Sequence, residues 1–189
     1  MPPHSNHRQG PNRYRCCTLV FCALAGLALT ACTTTSSTTS GGDAQMAAYL
    51  KLVMPARVEI QRYLTRPVSH AGDGVADGLE VILAAYDSTG DLTKVIGTFH
   101  FELETRRLQD RIGRRVAFWP VEIKSGETMR MYRDHLSRYY HFPLQLDNRA
   151  LQSGAYTLRV WLHLPTGERL LDEYEFAYDG HTAPTLRPL

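Results

Sequence analysis

Residues 155–164 alternate between large apolar side chains and polar or amphipathic ones. Successive side chains of a β-strand point to opposite faces of a sheet, so this alternation predicts a strand with one face on a hydrophobic core. The chain must therefore build a sheet that is covered on one side. The predicted inward side chains are Tyr156, Leu158, Val160, Leu162 and Leu164, and the predicted outward ones are Thr157, Arg159, Trp161 and His163.

Six other segments show period-two alternation or the continuous apolar run of a strand that is buried on both faces. The turn residues 87–91, Asp-Ser-Thr-Gly-Asp, separate two of them and predict a hairpin. Pro120 cannot donate a hydrogen bond to a ladder, so its strand is predicted to be bulged or at a sheet edge. The seven predicted strands are 56–64, 79–86, 95–104, 115–123, 140–146, 155–164 and 169–178.

Two short helices are also predicted. The first begins at Asp43 as N-cap and stops before Pro55, with apolar residues at helical spacing. No basic stripe flanks its apolar face, so we expect that face to pack on the domain rather than on a membrane. Ser125 is predicted to cap a second helix that runs through Leu136. The apolar residues of the first helix are Met46, Tyr49, Leu50 and Val53.

These elements predict a mostly β fold, a single antiparallel β-sandwich of about seven strands with one or two short helices over residues 44–179. Residues 151–160 contain Gly-x-Tyr-x-Leu-x-Val, which resembles a segment of immunoglobulin-like and transthyretin-like sandwiches. The resemblance implies that the Tyr156 hydroxyl ties a corner to backbone, and it implies architecture only, because these folds host unrelated functions. The tail, residues 180–189, is predicted to be extended or loose.

The N-terminus carries Arg8, Arg13 and Arg15 without acidic residues, and then an apolar run that is too short to span a bilayer. The run ends in Leu29-Thr30-Ala31-Cys32, and this layout resembles a bacterial lipoprotein signal. The resemblance implies that residues 1–31 are removed and that Cys32 carries lipid and anchors the protein in a membrane. An ordinary secretory signal cleaved near Ala31 and an uncleaved anchor helix are the alternatives.

Residue Thr33 bears on the final location of such a lipoprotein. In this class an Asp after the cysteine often retains the protein at the inner membrane, so Thr33 implies the outer membrane, periplasmic face. Residues 33–42 are Thr, Ser and Gly, which cannot bury apolar surface, so residues 32–43 are predicted to be a flexible tether. A coil of about ten residues spans on the order of 15 to 20 Å.

The cysteine content and the charge argue against two classes of protein, disulfide-stabilised domains and nucleic-acid-binding proteins. Cys16, Cys17, Cys22 and Cys32 all lie in the signal or at its cleavage site, so no disulfide framework is expected in the exported domain. The formal net charge is +2, but without the three signal arginines 18 basic residues face 19 acidic ones. The resulting charge of −1 gives nucleic-acid binding no electrostatic basis.

No motif indicates catalysis or a cofactor. Gly-x-Ser-x-Gly is absent, and the Gly-rich residues 72–78 precede a strand where a phosphate loop would follow one. His100, His141 and His163 fall on outward faces but lack the paired spacing of metal ligands. We therefore predict no catalytic residues, no metal and no cofactor.

Two features are candidate contact sites. Five arginines between the third and fourth predicted strands offer an anion contact to lipid headgroups, lipopolysaccharide phosphate or an acidic partner. The alternative is a solvated hairpin whose charge Glu104 and Asp110 partly balance. Trp161 is a possible stacking platform for a glycan or a peptide, whereas Trp119 beside Phe118 is expected to cap the core. The arginines are Arg106, Arg107, Arg111, Arg114 and Arg115.

The sequence thus favours a lipid-anchored, non-enzymatic binding or assembly module of the bacterial envelope. We expect its partners to be the membrane, through Cys32, and an envelope protein, through an edge strand, the arginines or exposed aromatics. A carbohydrate-binding module and a cell-wall hydrolase remain alternatives, because catalytic residues that are scattered in sequence can converge in a fold.

Overall fold

The computed structural model describes residues 40–106, 113–147, 150–181 and 183–185, all of them within one compact unit, residues 38–189. The described chain is mostly β and forms two antiparallel sheets, which confirms the predicted fold class. Its elements are α1 (Ser40–Val53), β1 (Arg57–Ile60), β2 (Arg66–Val68), β3 (Gly78–Tyr86), β4 (Gly97–Thr105), β5 (Arg115–Ile123), α2 (Gly126–Tyr132), β6 (Tyr140–Gln145), β7 (Gly154–His163) and β8 (Arg169–Tyr178).

The first sheet is built around β3, which is buried on both faces as its continuous apolar sequence predicts. One edge of β3 pairs with β6, and the other pairs with β1 and β2, which follow each other along it. The second sheet has the order β5-β4-β7-β8. Pro120 therefore lies in an edge strand, as predicted.

The prediction of one strand over residues 56–64 is wrong, because β1 ends at Ile60 and the chain turns before β2. The Thr65 side chain fills the resulting gap in the ladder. Its hydroxyl accepts a hydrogen bond from the backbone N–H of Ile82 at 3.0 Å, and the Gln61 N–H donates to the Ile82 carbonyl at 2.8 Å. The buried polar groups of β3 are thus paired although the neighbouring strand is interrupted.

The predicted hairpin across residues 87–91 is also wrong. The turn itself forms, with Gly90 at φ 91° and the Asp87 N–H donating to the Asp91 carbonyl at 2.9 Å. However, β3 and β4 lie in different sheets. The pairing across the turn is a single bridge between Tyr86 and Leu92, and β6 occupies that edge of β3 from Gly78 to Leu83. The connection after Asp91 carries the chain across the sandwich.

The core lies between the two sheets. Phe142 of β6 packs against Phe99 and Phe101 of β4, with ring centroids 5.0 Å and 4.8 Å away. Trp119 of β5 packs on the edge of this core, as expected, and its indole N–H donates to the Gln145 carbonyl at 2.6 Å. This hydrogen bond links the two sheets along one side.

The other side of the sandwich is closed where β1 of the first sheet lies against β8 of the second. The carboxylate of Asp172 accepts a hydrogen bond from the backbone N–H of Ile60 at 2.7 Å. An acidic side chain of one edge strand therefore satisfies a backbone donor of the other.

The corner that the resemblance implied is present. The Tyr156 hydroxyl donates to the Gln152 carbonyl at 2.7 Å. The tail, in contrast, is not loose where it is described. Ala183 is buried and its N–H donates to the Gly74 carbonyl, and the Ser69 N–H donates to the Pro184 carbonyl at 3.0 Å.

Helix α1 differs from its prediction in two ways. It begins at Ser40, which places Asp43 in its first turn rather than at the N-cap, so the helix takes up residues 40–43 of the predicted tether. Its apolar face does not pack on the domain, since Met46, Tyr49 and Leu50 are exposed. The core beneath the helix is already closed by the connection between β3 and β4, in which Val95 is buried.

Helix α2 has the predicted N-cap, because the Ser125 hydroxyl accepts a hydrogen bond from the Thr128 N–H at 3.1 Å. It ends at Tyr132, before the predicted end, and Leu136 is exposed. No helix in the described part of the chain is both long and apolar enough to cross a bilayer.

Candidate functional site

The outer face of the second sheet carries an apolar strip that crosses all four strands. The register aligns His100 of β4 with Pro120 of β5 on one side and with Trp161 of β7 on the other. Trp161 in turn pairs with Leu171 of β8. Alternation along each strand points all of these side chains away from the core. We call Pro120, His100, Trp161 and Leu171 the cross-sheet strip.

Two large side chains of this face are well exposed. Leu171 at one end of the strip is 58% exposed, and Phe118 beside the strip is 45% exposed. Phe118 stands 5.5 Å from the His100 ring, centroid to centroid, and Trp161 is half-buried between its neighbours. An apolar surface on a sheet that is open on this side is typical of a binding face.

Ion pairs border the strip on one side. The Arg159 guanidinium donates to Glu104 at 2.7 Å and to Glu173 at 3.0 Å. The hydrogen bond to Glu173 raises the pKa of Arg159, and the charges of both carboxylates add to it. These charges lie in register beside apolar residues, so the face combines an apolar centre with a fixed polar border.

Two histidines meet on the same face. The rings of His100 and His163 are 4.5 Å apart, centroid to centroid, in an edge-to-face arrangement. Burial, the neighbouring His100 and then Arg169 lower the pKa of His163. Among the described residues, no group of three or more His, Cys, Asp or Glu is arranged to hold a metal ion.

We expect this histidine to make the free energy of unfolding depend on pH. The folded pKa of His163 lies below its usual 6.5, so the unfolded chain takes up a proton more readily. Its contribution is therefore complete above pH 6.5 and is lost as pH falls toward the folded value. Denaturant titrations at neutral and at mildly acidic pH measure how much the free energy of unfolding falls between the two. This fall should be smaller in His163→Gln than in the parent protein. A substitution of the exposed His135, His135→Gln, should leave it as in the parent. An equal loss in His163→Gln would contradict the assignment.

The arginine segment is only partly described, and Arg107 and Arg111 lie outside the described residues. Arg106 pairs with Glu175 at 2.7 Å, and Arg115 approaches Glu102 at 3.4 Å. Arg114 is exposed and takes part in no ion pair within the described chain. Two of the three described arginines are thus held by carboxylates, which favours the interpretation of a charge-balanced surface.

A histidine and a carboxylate also meet near the opposite end of β3. The ring Nδ1 of His70 lies 3.1 Å from Asp77, whose carboxylate also accepts the His70 backbone N–H. Burial opposes ionisation of Asp77, but these hydrogen bonds lower its pKa overall. The adjacent Ser69 hydroxyl is buried and donates to Asp73 rather than to the imidazole. The arrangement fixes the loop before β3.

A second apolar surface lies under the C-terminal end of α1. A cavity of about 820 Å³ opens there between α1, the connection before β4, α2 and the turn after β7. We call it the basal groove. Its apolar lining includes Leu50, Val53, Leu92, Ile96 and Met129.

The sequence placed Trp161 on an outer face correctly, and alternation placed His100 and His163 there as well. It did not indicate that these residues are neighbours, nor that Leu171 and Phe118 join them. The period-two pattern contains each orientation, but the strand order that brings the residues together is not encoded in any one segment. The basal groove was missed entirely, because it depends on how α1 leaves the sandwich.

Comparisons with protein-family models, with curated proteins and with solved structures find no match, so the function must be argued from these surfaces.

Proposed function

We propose that this protein is a lipid-anchored, non-enzymatic binding or assembly module of the bacterial envelope, and that it holds a protein partner on the outer face of its second sheet. The cross-sheet strip is the observation that carries this proposal. Leu171 and Phe118 present apolar surface to solvent there, although neither is needed for the core.

The composition of the face suits a protein partner. Protein interfaces combine an apolar and aromatic centre with a polar border, and most of their binding energy comes from a few central residues. Trp161 and Phe118 supply aromatic area, and Arg159 with its carboxylates supplies the border. Because β7 is hydrogen-bonded on both edges, the central residues are preorganised for binding.

The anchor rests on the N-terminal segment, which lies outside the described residues. Leu29-Thr30-Ala31-Cys32 supports acylation of Cys32, and Thr33 supports the outer membrane, periplasmic face. Seven residues then separate Cys32 from α1. This short separation would keep the sandwich close to the membrane surface, where it meets other envelope proteins.

The contact between His70 and Asp77 is explained by the loop that contains it. The neighbouring Ser69 hydroxyl is buried and directed to Asp73. A Ser, His and Asp set would need the hydroxyl to contact the imidazole. The pair acts instead on the loop that contains it.

In-cell photo-cross-linking of the tagged full-length protein tests the partner. A photoreactive amino acid at position 118 should give one reproducible protein adduct, whereas the same amino acid at Val75, an exposed loop position, should not. Leu171→Asp should reduce the adduct at least tenfold, because it places a charge in the apolar strip. The exposed Leu136→Asp serves as the matched control and should leave the adduct unchanged.

The same experiment separates the alternatives. Identical adducts at positions 118 and 75, or an adduct that Leu171→Asp does not weaken, would contradict partner binding on this face. A glycan adduct at position 118 without a protein would favour a carbohydrate-binding module, with Trp161 as its stacking platform.

A further inference from the structure

Helix α1 and the basal groove form one continuous apolar surface. Leu50 and Val53 on the helix are 41% and 49% exposed, and Ile96 on the facing connection is 51% exposed. Met46 and Tyr49 extend this surface along the same face of the helix toward its N-terminus. The helix touches the sandwich near its C-terminal end, where the Thr93 hydroxyl donates to the Val53 carbonyl at 2.7 Å.

The charges that line the groove are all positive. Lys94, Arg133 and Arg138 are among its lining residues, and no carboxylate is. None of the three forms an ion pair with any part of the chain that the structure describes. The groove therefore combines an apolar lining with three cations and no lining carboxylate.

Asp134 and Glu168 are not among the residues that line the groove. Asp134 accepts hydrogen bonds from the Leu136 N–H and from the N–H and hydroxyl of Ser137, which lower its pKa to about 2. Glu168 lines a separate hollow that also contains Lys51. Asp134 is therefore ionised and follows Arg133 directly in the chain, so it offsets part of the positive charge, whereas the lining of the groove itself carries only cations.

Two of the cations differ in backbone conformation and burial. Arg138 has a φ of 65°, a left-handed conformation that is costly for a residue with a Cβ. The Nε of Arg133 is buried without a hydrogen-bond partner in the described structure. Arg133 as a whole is half-buried and Arg138 is exposed, so both line the groove.

The path of the chain brings this surface to a bilayer. Seven residues between Cys32 and Ser40 reach at most about 25 Å. Helix α1, which is 14 residues long and therefore about 21 Å, follows directly. If Cys32 is acylated as proposed above, the apolar face of α1 and the groove lie within reach of the lipid surface that holds the anchor.

We infer that α1 and the basal groove dock on the bilayer and take up an anionic phospholipid, with the acyl chain along Leu50, Val53 and Ile96 and the phosphate at Lys94, Arg133 and Arg138. The occupant is a lipid of the membrane rather than a protein, because the surface pairs apolar and cationic groups and begins where the tether ends. This inference rests on the proposed membrane anchor, and it assigns the helix a second, weaker membrane contact.

Vesicle binding tests the inference without the anchor. The compact unit, residues 38–189, contains all described helices and strands and lacks Cys32, so its binding to lipid cannot come from acylation. We expect it to sediment with vesicles rich in phosphatidylglycerol and much less with phosphatidylcholine vesicles. Lys94→Gln with Arg138→Gln should weaken the partition about thirtyfold, since each cation near an anionic surface contributes about a factor of five. Ile96→Ser should weaken it about tenfold.

A charge-matched control distinguishes binding at the groove from the general electrostatic attraction of a positively charged protein surface to anionic vesicles. Arg62→Gln with Arg114→Gln also removes two exposed positive charges, but from the loop after β1 and from the end of the sandwich opposite α1. This variant should bind almost as the parent does. No sedimentation with phosphatidylglycerol vesicles, or an equal loss in the control, would overturn the inference. Circular dichroism of each variant verifies that the fold is retained, and the anchor proposal stands or falls separately on acylation of Cys32.

Discussion

Replacing Phe142 by alanine is expected to lower the free energy of unfolding by about 3 to 5 kcal/mol. The Phe142 ring is fully buried and packs against Phe99 and Phe101 of the opposite sheet. It also stacks on Tyr132 of α2 at 5.1 Å. Alanine at this position leaves a cavity that rigid strands on both sides cannot close, so both transfer and packing energy are lost.

Denaturant unfolding followed by circular dichroism measures this change. Phe118→Ala removes the same side chain from the outer face of the second sheet, where it is 45% exposed, and should change the free energy of unfolding far less. A loss for Phe118→Ala as large as that for Phe142→Ala would show that the assignment of inner and outer faces is wrong. The pair of variants therefore tests the packing of the sandwich.

The exchange of Cys32 for serine is expected to move the protein out of the membrane fraction and to abolish incorporation of labelled palmitate. Serine has no thiol for lipid attachment, and a single lost acyl site removes the whole anchor. The contact of α1 with lipid that we infer above is reversible and partly electrostatic, so a wash of the membranes at high salt should remove protein that is held by it alone. Fractionation of cells and lipid labelling measure the two effects independently.

Cys22→Ser is the matched control, because Cys22 lies in the apolar run of the signal and not at its end. This variant should keep both the label and the membrane fraction. Unchanged membrane retention of Cys32→Ser, or labelling that persists in it, would contradict lipidation at Cys32 and favour an uncleaved anchor.

Much of the sandwich follows from local sequence rules. Alternation alone predicts β7 and β8 and the faces of their side chains, because a strand fixes orientation residue by residue. Pro120 predicts an edge strand since it cannot donate to a second neighbour. The resemblance around Gly154 and Tyr156 implied the corner that the Tyr156 hydroxyl closes.

Which strands pair with each other could not be predicted from local sequence in the same way. The turn at residues 87–91 has hairpin chemistry, yet it leads only to a single bridge between Tyr86 and Leu92, and β4 pairs with β5 and β7 in the other sheet. Thr65 could not be recognised as a substitute for a backbone partner, since its role depends on the position of Ile82. The cross-sheet strip and the basal groove arise from such non-local pairings. For this reason the sequence predicted only that Trp161 and the histidines lie on outer faces.

The hydrogen bond between the Asp172 carboxylate of β8 and the backbone of Ile60 in β1 bears on what happens when copies of the protein meet. Anchored molecules diffuse in two dimensions and meet their own copies often, and an unpaired strand edge is a template for pairing with another chain. In this fold β8 is covered by β1 along part of its length, and β5 carries Pro120 at the other edge of the sheet. Neighbouring copies are thereby discouraged from joining into a continuous sheet, and the outer face that we propose as the binding face stays exposed.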